Sequence, residues 1–268
     1  MQARALALTL FLPLMCTPAA AGAGACESGV AAANSGAASA TIVELYTSEG
    51  CNSCPPADKW FSTLDFSRDG VVPLAFHVDY WDYIGWKDRF AQPANAQRQR
   101  DAVTRQGSRT TYTPQVMLDG RDLRVWSHQV QFQSRLREVS SRTPRANLGL
   151  DARSSNNVVE VALLATVALP RDRADAGVFI AITENNLTSR VTAGENKGVL
   201  LKHDYVVREL MGPLAVDSKD RAEGKFPVRR IVTLAPDWKR GDLSLVAFVQ
   251  NSRTGEVLQA VSTPFCRD

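Results

Sequence analysis

Residues 41–57 read TIVELYTSEGCNSCPPA. The apolar, β-branched start, with Ile42, Val43, Leu45 and Tyr46, predicts a buried strand. A short polar turn then delivers Cys51-Asn52-Ser53-Cys54, and Pro55-Pro56 opens a helix through Trp60, Phe61 and Leu64. Proline is tolerated in the first helical turn, where the N–H groups lack partners anyway. Strand, CxxC and helix in that order form the local signature of a redox-active cysteine pair. Two thiols this close can form a small disulfide ring, and the positive end of the helix dipole favours the thiolate. Cys51 is the expected attacking thiol and Cys54 the resolving one.

Outward from this stretch, residues 71–78 (VVPLAFHV) predict a second strand, parallel to the first. The loop beyond it is aromatic. Tyr80, Trp81, Tyr83 and Trp86 read either as an apolar lip for docking a partner or as packing between two domains. Residues 87–106 are helix-forming, with Pro93 a break or a new start, and their arginines read as a solvated face. Thr113-Pro114 precedes a short apolar strand and an Asp119-Gly120 turn, and reads as a cis-proline that positions substrate against the disulfide. Residues 128–139 show a helical period. Glu44 and Asp79 are candidate proton acceptors for the resolving thiol, or else capping or solvated carboxylates. His77, His128 and His203 read as structural histidines.

The 268-residue chain suffices for two modest domains. Residues 1–25 have one charge, Arg4, an apolar run and a terminal Ala23-Gly24-Ala25, the pattern of a cleaved export signal. Cleavage before Cys26 would leave a net charge of +3 − 1 = +2. A balance this small, without a clustered basic stripe, argues against nucleic-acid binding. No later run is apolar enough to span a membrane. The remaining cysteines are Cys26, Cys51, Cys54 and Cys266. Cys26 and Cys266 are expected to form a structural disulfide in an oxidising compartment. The alternative makes Cys26 a lipid-attachment site and Cys266 a free thiol. Residues 26–40, rich in Ala, Ser and Gly, read as a flexible segment. Beyond a linker near residues 140–144, seven short β-rich runs predict a sandwich-like domain over 145–268.

Four separated stretches carry a family resemblance: ELYTSEGCNSCPPAD, FHVDYWDYIGWKDRFA, TYTPQ with its Asp-Gly turn, and GENKGVLLKHDYVVREL. With them the chain resembles the exported bacterial thioredoxin-like family filed as domain of unknown function 1223. The resemblance implies an α/β thioredoxin-like domain over 41–140 followed by the mainly-β domain. It supplies no substrate, and the GENKG loop has no assigned chemistry. The combined expectation is an exported, periplasmic or secreted thiol-disulfide oxidoreductase. It would act on protein thiols or disulfides of the cell envelope and use no cofactor. Two other readings stay open. One is a binding protein whose CxxC is a structural staple. The other is a copper-handling protein using Cys51, Cys54 and His77, since soft thiolates suit Cu(I).

Overall fold

A computed structural model describes residues 25–27, 30–65 and 70–265. The export signal and the Cys26–Cys266 pairing depend on residues 1–24 and 266, which lie outside the described residues. No helix among the described residues is long and apolar enough to cross a membrane.

The chain is mostly β. The first strands are β1 (Ala25–Glu27), β2 (Val30–Asn34), β3 (Thr41–Thr47), β4 (Val71–His77), β5 (Gln115–Leu118) and β6 (Arg121–Asp122). Among them lie helices α1 (Pro55–Phe61) and α2 (Pro93–Arg105), and α3 (Gln129–Ser140) follows β6. Then come β7 (Ala146–Ser155), β8 (Val158–Val167), β9 (Ala176–Glu184), β10 (Leu187–Arg190), β11 (Leu200–His203) and β12 (Val206–Met211). The last strands are β13 (Lys225–Thr233), β14 (Leu243–Asn251) and β15 (Val257–Pro264). Two short α-helices also lie among the described residues, α4 (Pro170–Arg173) before β9 and α5 (Ser218–Glu223) before β13.

The strands form an eight-stranded sheet ordered β15-β14-β9-β12-β4-β3-β5-β6, a five-stranded sheet β1-β2-β7-β8-β13, and the pair β10-β11. This overturns the expected α/β thioredoxin-like N-terminal domain followed by a separate mainly-β one. The sheet holding the CxxC strand does not close at β4. β12 pairs with β4 in parallel at Val206 and Ala75, and β9, β14 and β15 extend the sheet from there. Strand pairing between distant segments is invisible to local periodicity, which is why the chain read as two independent units. Within residues 26–40, Val30–Asn34 forms a strand. β2 pairs with β7, and its Ala31 and Ala33 are buried while Ala32 is not. Small alternating side chains make a strand here where composition suggested a loose segment.

β3 lies between β4 and β5 and is buried along its length. Val43 and Leu45 face α1 and α3, packing with Ala57, Phe61, Phe132 and Leu136. Ile42 and Tyr46 face the other way, toward α2 and toward Phe179 and Phe248. Fully burying one such side chain contributes roughly 1.5–3 kcal/mol. β9 and β14 are likewise covered on both faces, since Val178, Ile180 and Leu245 pack on Leu148, Val161 and Leu163 of the five-stranded sheet. α2 begins at Pro93, in the turn where a missing N–H costs least. Its Arg98 is not on a solvated face. It is nearly buried and hydrogen-bonds Glu44 at 2.7 Å.

Candidate functional site

Cys51 and Cys54 form a disulfide, with Cα atoms 5.5 Å apart. Backbone hydrogen bonds hold the turn: Cys51 N–H donates to Ser48 O at 3.2 Å, and Cys54 N–H to Cys51 O at 3.2 Å. Cys54 is the N-cap of α1, and no side chain caps that helix start. The Ser53 hydroxyl lies 3.2 Å from Cys51 Sγ. Both cysteines are buried, Cys51 at 1% exposure and Cys54 at 0%.

The cover over this turn comes from distant segments. Asn196 Nδ2 donates to Glu49 O (2.9 Å) and to Cys51 O (3.0 Å), and Asn52 N–H donates to Glu195 Oε2 (3.0 Å). The aromatic loop closes another side. A Cβ on Gly50 would stand 3.1 Å from Trp81 Cβ and 3.2 Å from Ile84 Cδ1, so glycine is what lets the loop approach. Trp81 Nε1 donates to Thr113 Oγ1 at 2.7 Å, and Trp86 Nε1 to Glu49 Oε2 at 2.8 Å.

Beside the turn lies a buried set of carboxylates and imidazoles: Glu49, Asp58, His77, Asp88 and His203. His77 Nδ1 and Asp88 Oδ2 are 2.7 Å apart, and Glu49 N–H donates to the same oxygen at 2.9 Å. His203 Nε2 lies 3.3 Å from Glu49 Oε1, and His203 Nδ1 3.9 Å from Asp58 Oδ2. The two imidazoles meet edge to face with centroids 4.8 Å apart. Burial pushes Asp58 above the ordinary carboxylate range, and the two imidazoles only partly counter it. Burial works against charge on His77, but the Asp88 carboxylate, with Asp58 and Glu49 beyond it, raises its pKa above the usual histidine value. Burial would raise Asp88 as well, yet His77 and the N–H groups of Glu49 and Phe90 hold it below the usual range. Glu49 is also lowered, its burial outweighed by His203, Ser189 and Trp86. Among the described residues, no group of three or more His, Cys, Asp or Glu side chains is arranged to hold a metal ion.

The structure brings together Cys51, Cys54, Trp81, Trp86 and Thr113. The Thr113–Pro114 bond is cis, and Trp81 links Thr113 to the turn at Gly50. Tyr80 turns to Gln99, its hydroxyl donating to Oε1 at 3.1 Å, and burial pushes it up to about 12. Glu44 does not join the site. It shares the Ile42 and Tyr46 face, opposite α1, where Arg98 neutralises it above Phe76, Phe179 and Phe248. Asp79 is half-buried in the turn after β4, and its carbonyl accepts from Asp82 N–H at 3.0 Å. Sequence reasoning missed Glu49, Asp58, Asp88, Glu195, Asn196 and the role of His203. Their signal was present, since all six lie in three of the stretches that carry the family resemblance.

Two solved structures share the fold. Protein AGR_C_4864 from Agrobacterium tumefaciens is 22% identical, with a TM-score of 0.59 over 85% of this chain and 95% of that one. HBP35 of Porphyromonas gingivalis is 14% identical, with a TM-score of 0.63 over 86% of this chain and 76% of that one. No curated protein matches. The family described as protein of unknown function (DUF1223) matches residues 42–250, and the chain belongs to that family.

Proposed function

We propose that the Cys51–Cys54 pair carries out thiol–disulfide exchange with polypeptide thiols or disulfides of the cell envelope. One observation carries the reading. The disulfide closes a four-residue ring in a turn that backbone hydrogen bonds already hold, at the uncapped start of α1. Closing so short a loop restrains the unfolded chain by only about 2 kcal/mol on the chain-entropy relation. That is a weak staple. The same placement suits an exchanging pair, because a thiolate released at Cys51 or Cys54 lies at the positive end of the α1 dipole.

In the oxidising direction a substrate thiolate attacks Cys51 Sγ. The Cys51–Cys54 bond breaks, and Cys54 leaves as a thiolate that takes up a proton. A second substrate thiolate attacks the mixed disulfide, releasing Cys51 and a substrate disulfide. The substrate dithiol has lost two electrons and the pair has gained them, and the reverse sequence reduces a substrate. Thr113-Pro114 positions the substrate backbone, and Trp81 fixes Thr113.

A second reading is favoured by the 1% exposure of Cys51. In it the disulfide is structural and the protein a binding module. Titration in glutathione redox buffers, read by differential alkylation and mass spectrometry, separates the two. A midpoint between roughly −120 and −270 mV supports exchange, whereas a pair still oxidised below roughly −300 mV behaves as a staple.

A further inference from the structure

The loop Gly194-Glu195-Asn196-Lys197-Gly198 has no part in the exchange chemistry, yet it is hydrogen-bonded to the backbone of the CxxC turn. It closes on itself, with Lys197 N–H donating to Gly194 O (3.3 Å) and Gly198 N–H to Val191 O (2.9 Å). Both terminal glycines have positive φ, 71° at Gly194 and 88° at Gly198. A Cβ at Gly198 would meet nothing within 4 Å, so backbone conformation rather than space calls for glycine there. The loop is therefore a compact unit seated against Ile84 and Trp86, and three hydrogen bonds attach it to the CxxC turn.

Those hydrogen bonds engage two backbone acceptors, Glu49 O and Cys51 O, and one backbone donor, Asn52 N–H. They are main-chain groups, of the kind an extended polypeptide pairs with through its own N–H and C=O groups. Asn196 supplies the two donors and Glu195 the acceptor. Their sequence separation of 143 to 147 residues from the turn makes this a long-range contact and not part of the turn's own geometry. Exposed apolar side chains flank these contacts in sequence, Tyr83 beside Ile84, and Val199 and Leu200 just after Gly198.

We propose that this loop is an internal occupant of the edge where substrate backbone docks, and that Glu195 and Asn196 thereby set the substrate class. The preferred substrate is an extended polypeptide segment, whose backbone replaces the contacts that the loop gives up. A small thiol has no such groups to offer and reaches the sulfur only when the loop lifts spontaneously. The inference rests on the exchange reading for its substrate, but the closure itself is tested independently.

The test uses the oxidised full chain and dithiothreitol as the small thiol. Dithiothreitol becomes its cyclic disulfide, Cys51–Cys54 becomes two thiols, and the two thiol protons are carried across, so the reaction balances whatever the protein's own potential. Stopped alkylation with mass spectrometry gives the rate. Each net hydrogen bond removed is expected to raise the open population several-fold. Glu195→Ala should react about threefold faster than wild type, Asn196→Ala about tenfold and the double variant about thirtyfold. Lys202→Ala, on the exposed side of β11, should match wild type. A twelve-residue extended peptide with one cysteine should form the mixed disulfide faster than 2-mercaptoethanol at equal thiolate concentration, and the double variant should shrink that advantage. Equal dithiothreitol rates across the series would overturn the proposal. Glu195 is exposed, so Glu195→Ala decides the matter even where Asn196→Ala loses its near-ultraviolet circular dichroism. A pair that behaves as a staple in the glutathione titration would remove the exchange reading and leave the rate ratio standing. A rate ratio of one with a midpoint in the exchange range would remove only the closure.

Discussion

His77 carries its imidazole at 1% exposure with Asp88 Oδ2 2.7 Å away. Its folded pKa is raised, so it contributes stability that is fully present below about pH 6.5 and is lost as pH rises through the folded value. His77→Gln removes that contribution and leaves Asp88 buried, with only the Glu49 and Phe90 N–H groups as donors. Losing one member of a buried pair costs about 3–5 kcal/mol. The expected result at pH 6 is a loss of that size in urea unfolding. As pH rises from 6.5 through the folded His77 value, the wild type should lose stability more steeply than the variant. Parallel curves for the two proteins would mean that His77 is neutral across the range.

The Asp119-Gly120 turn joins two elements that are far apart in sequence. Gly120 has φ 71°, and an added Cβ would overlap the Gly255 carbonyl in the turn between β14 and β15. Asp119 Oδ1 accepts from Val257 N–H at 2.6 Å, which clamps the two turns together. Gly120→Ala therefore combines a left-handed backbone with a steric conflict, and should cost at least about 2 kcal/mol by denaturant unfolding. A loss under 0.5 kcal/mol would show that the turns can separate freely. The turn itself was legible in the sequence, because Asp-Gly chemistry is local. So were β3, α1 starting at its prolines, β4 and the Thr113-Pro114 position, each announced by a few adjacent residues. What Asp119 and Gly120 touch was not legible, since Gly255 and Val257 lie more than a hundred residues on. The same limit hid the site. Glu49 looked like a turn residue and His203 like an isolated histidine until β11 brought them within 3.3 Å. Arg98 looked solvated because its partner Glu44 sits on another element.

At the scale of the molecule, the eight-stranded sheet crosses the position where a linker was expected. The seam between β4 and β12 is narrow, with one register pair plus the bond from Ala75 N–H to Tyr205 O at 2.9 Å. Behind it, Phe76 and Tyr46 share one core with Phe179 and Phe248. A fragment of residues 41–140 would bare the edge of β4 and that apolar face, and exposed edges of this kind invite pairing between chains. It is expected to associate on size exclusion and to lack cooperative thermal unfolding. A monomeric fragment with a sharp transition would show that the seam is dispensable. Gln259 on β15 extends the point to the order of synthesis. Fully buried, it accepts from Ala40 N–H at 2.8 Å, and its amide donates to Gly36 O and Ala38 O. Gly36 and Gln259 are 223 positions apart. A growing chain therefore shows its early strand β2 and the segment after it to the ribosome exit long before β7 and β15 exist to receive them. The carbonyls of Gly36 and Ala38 therefore gain these partners only once β15 has been made.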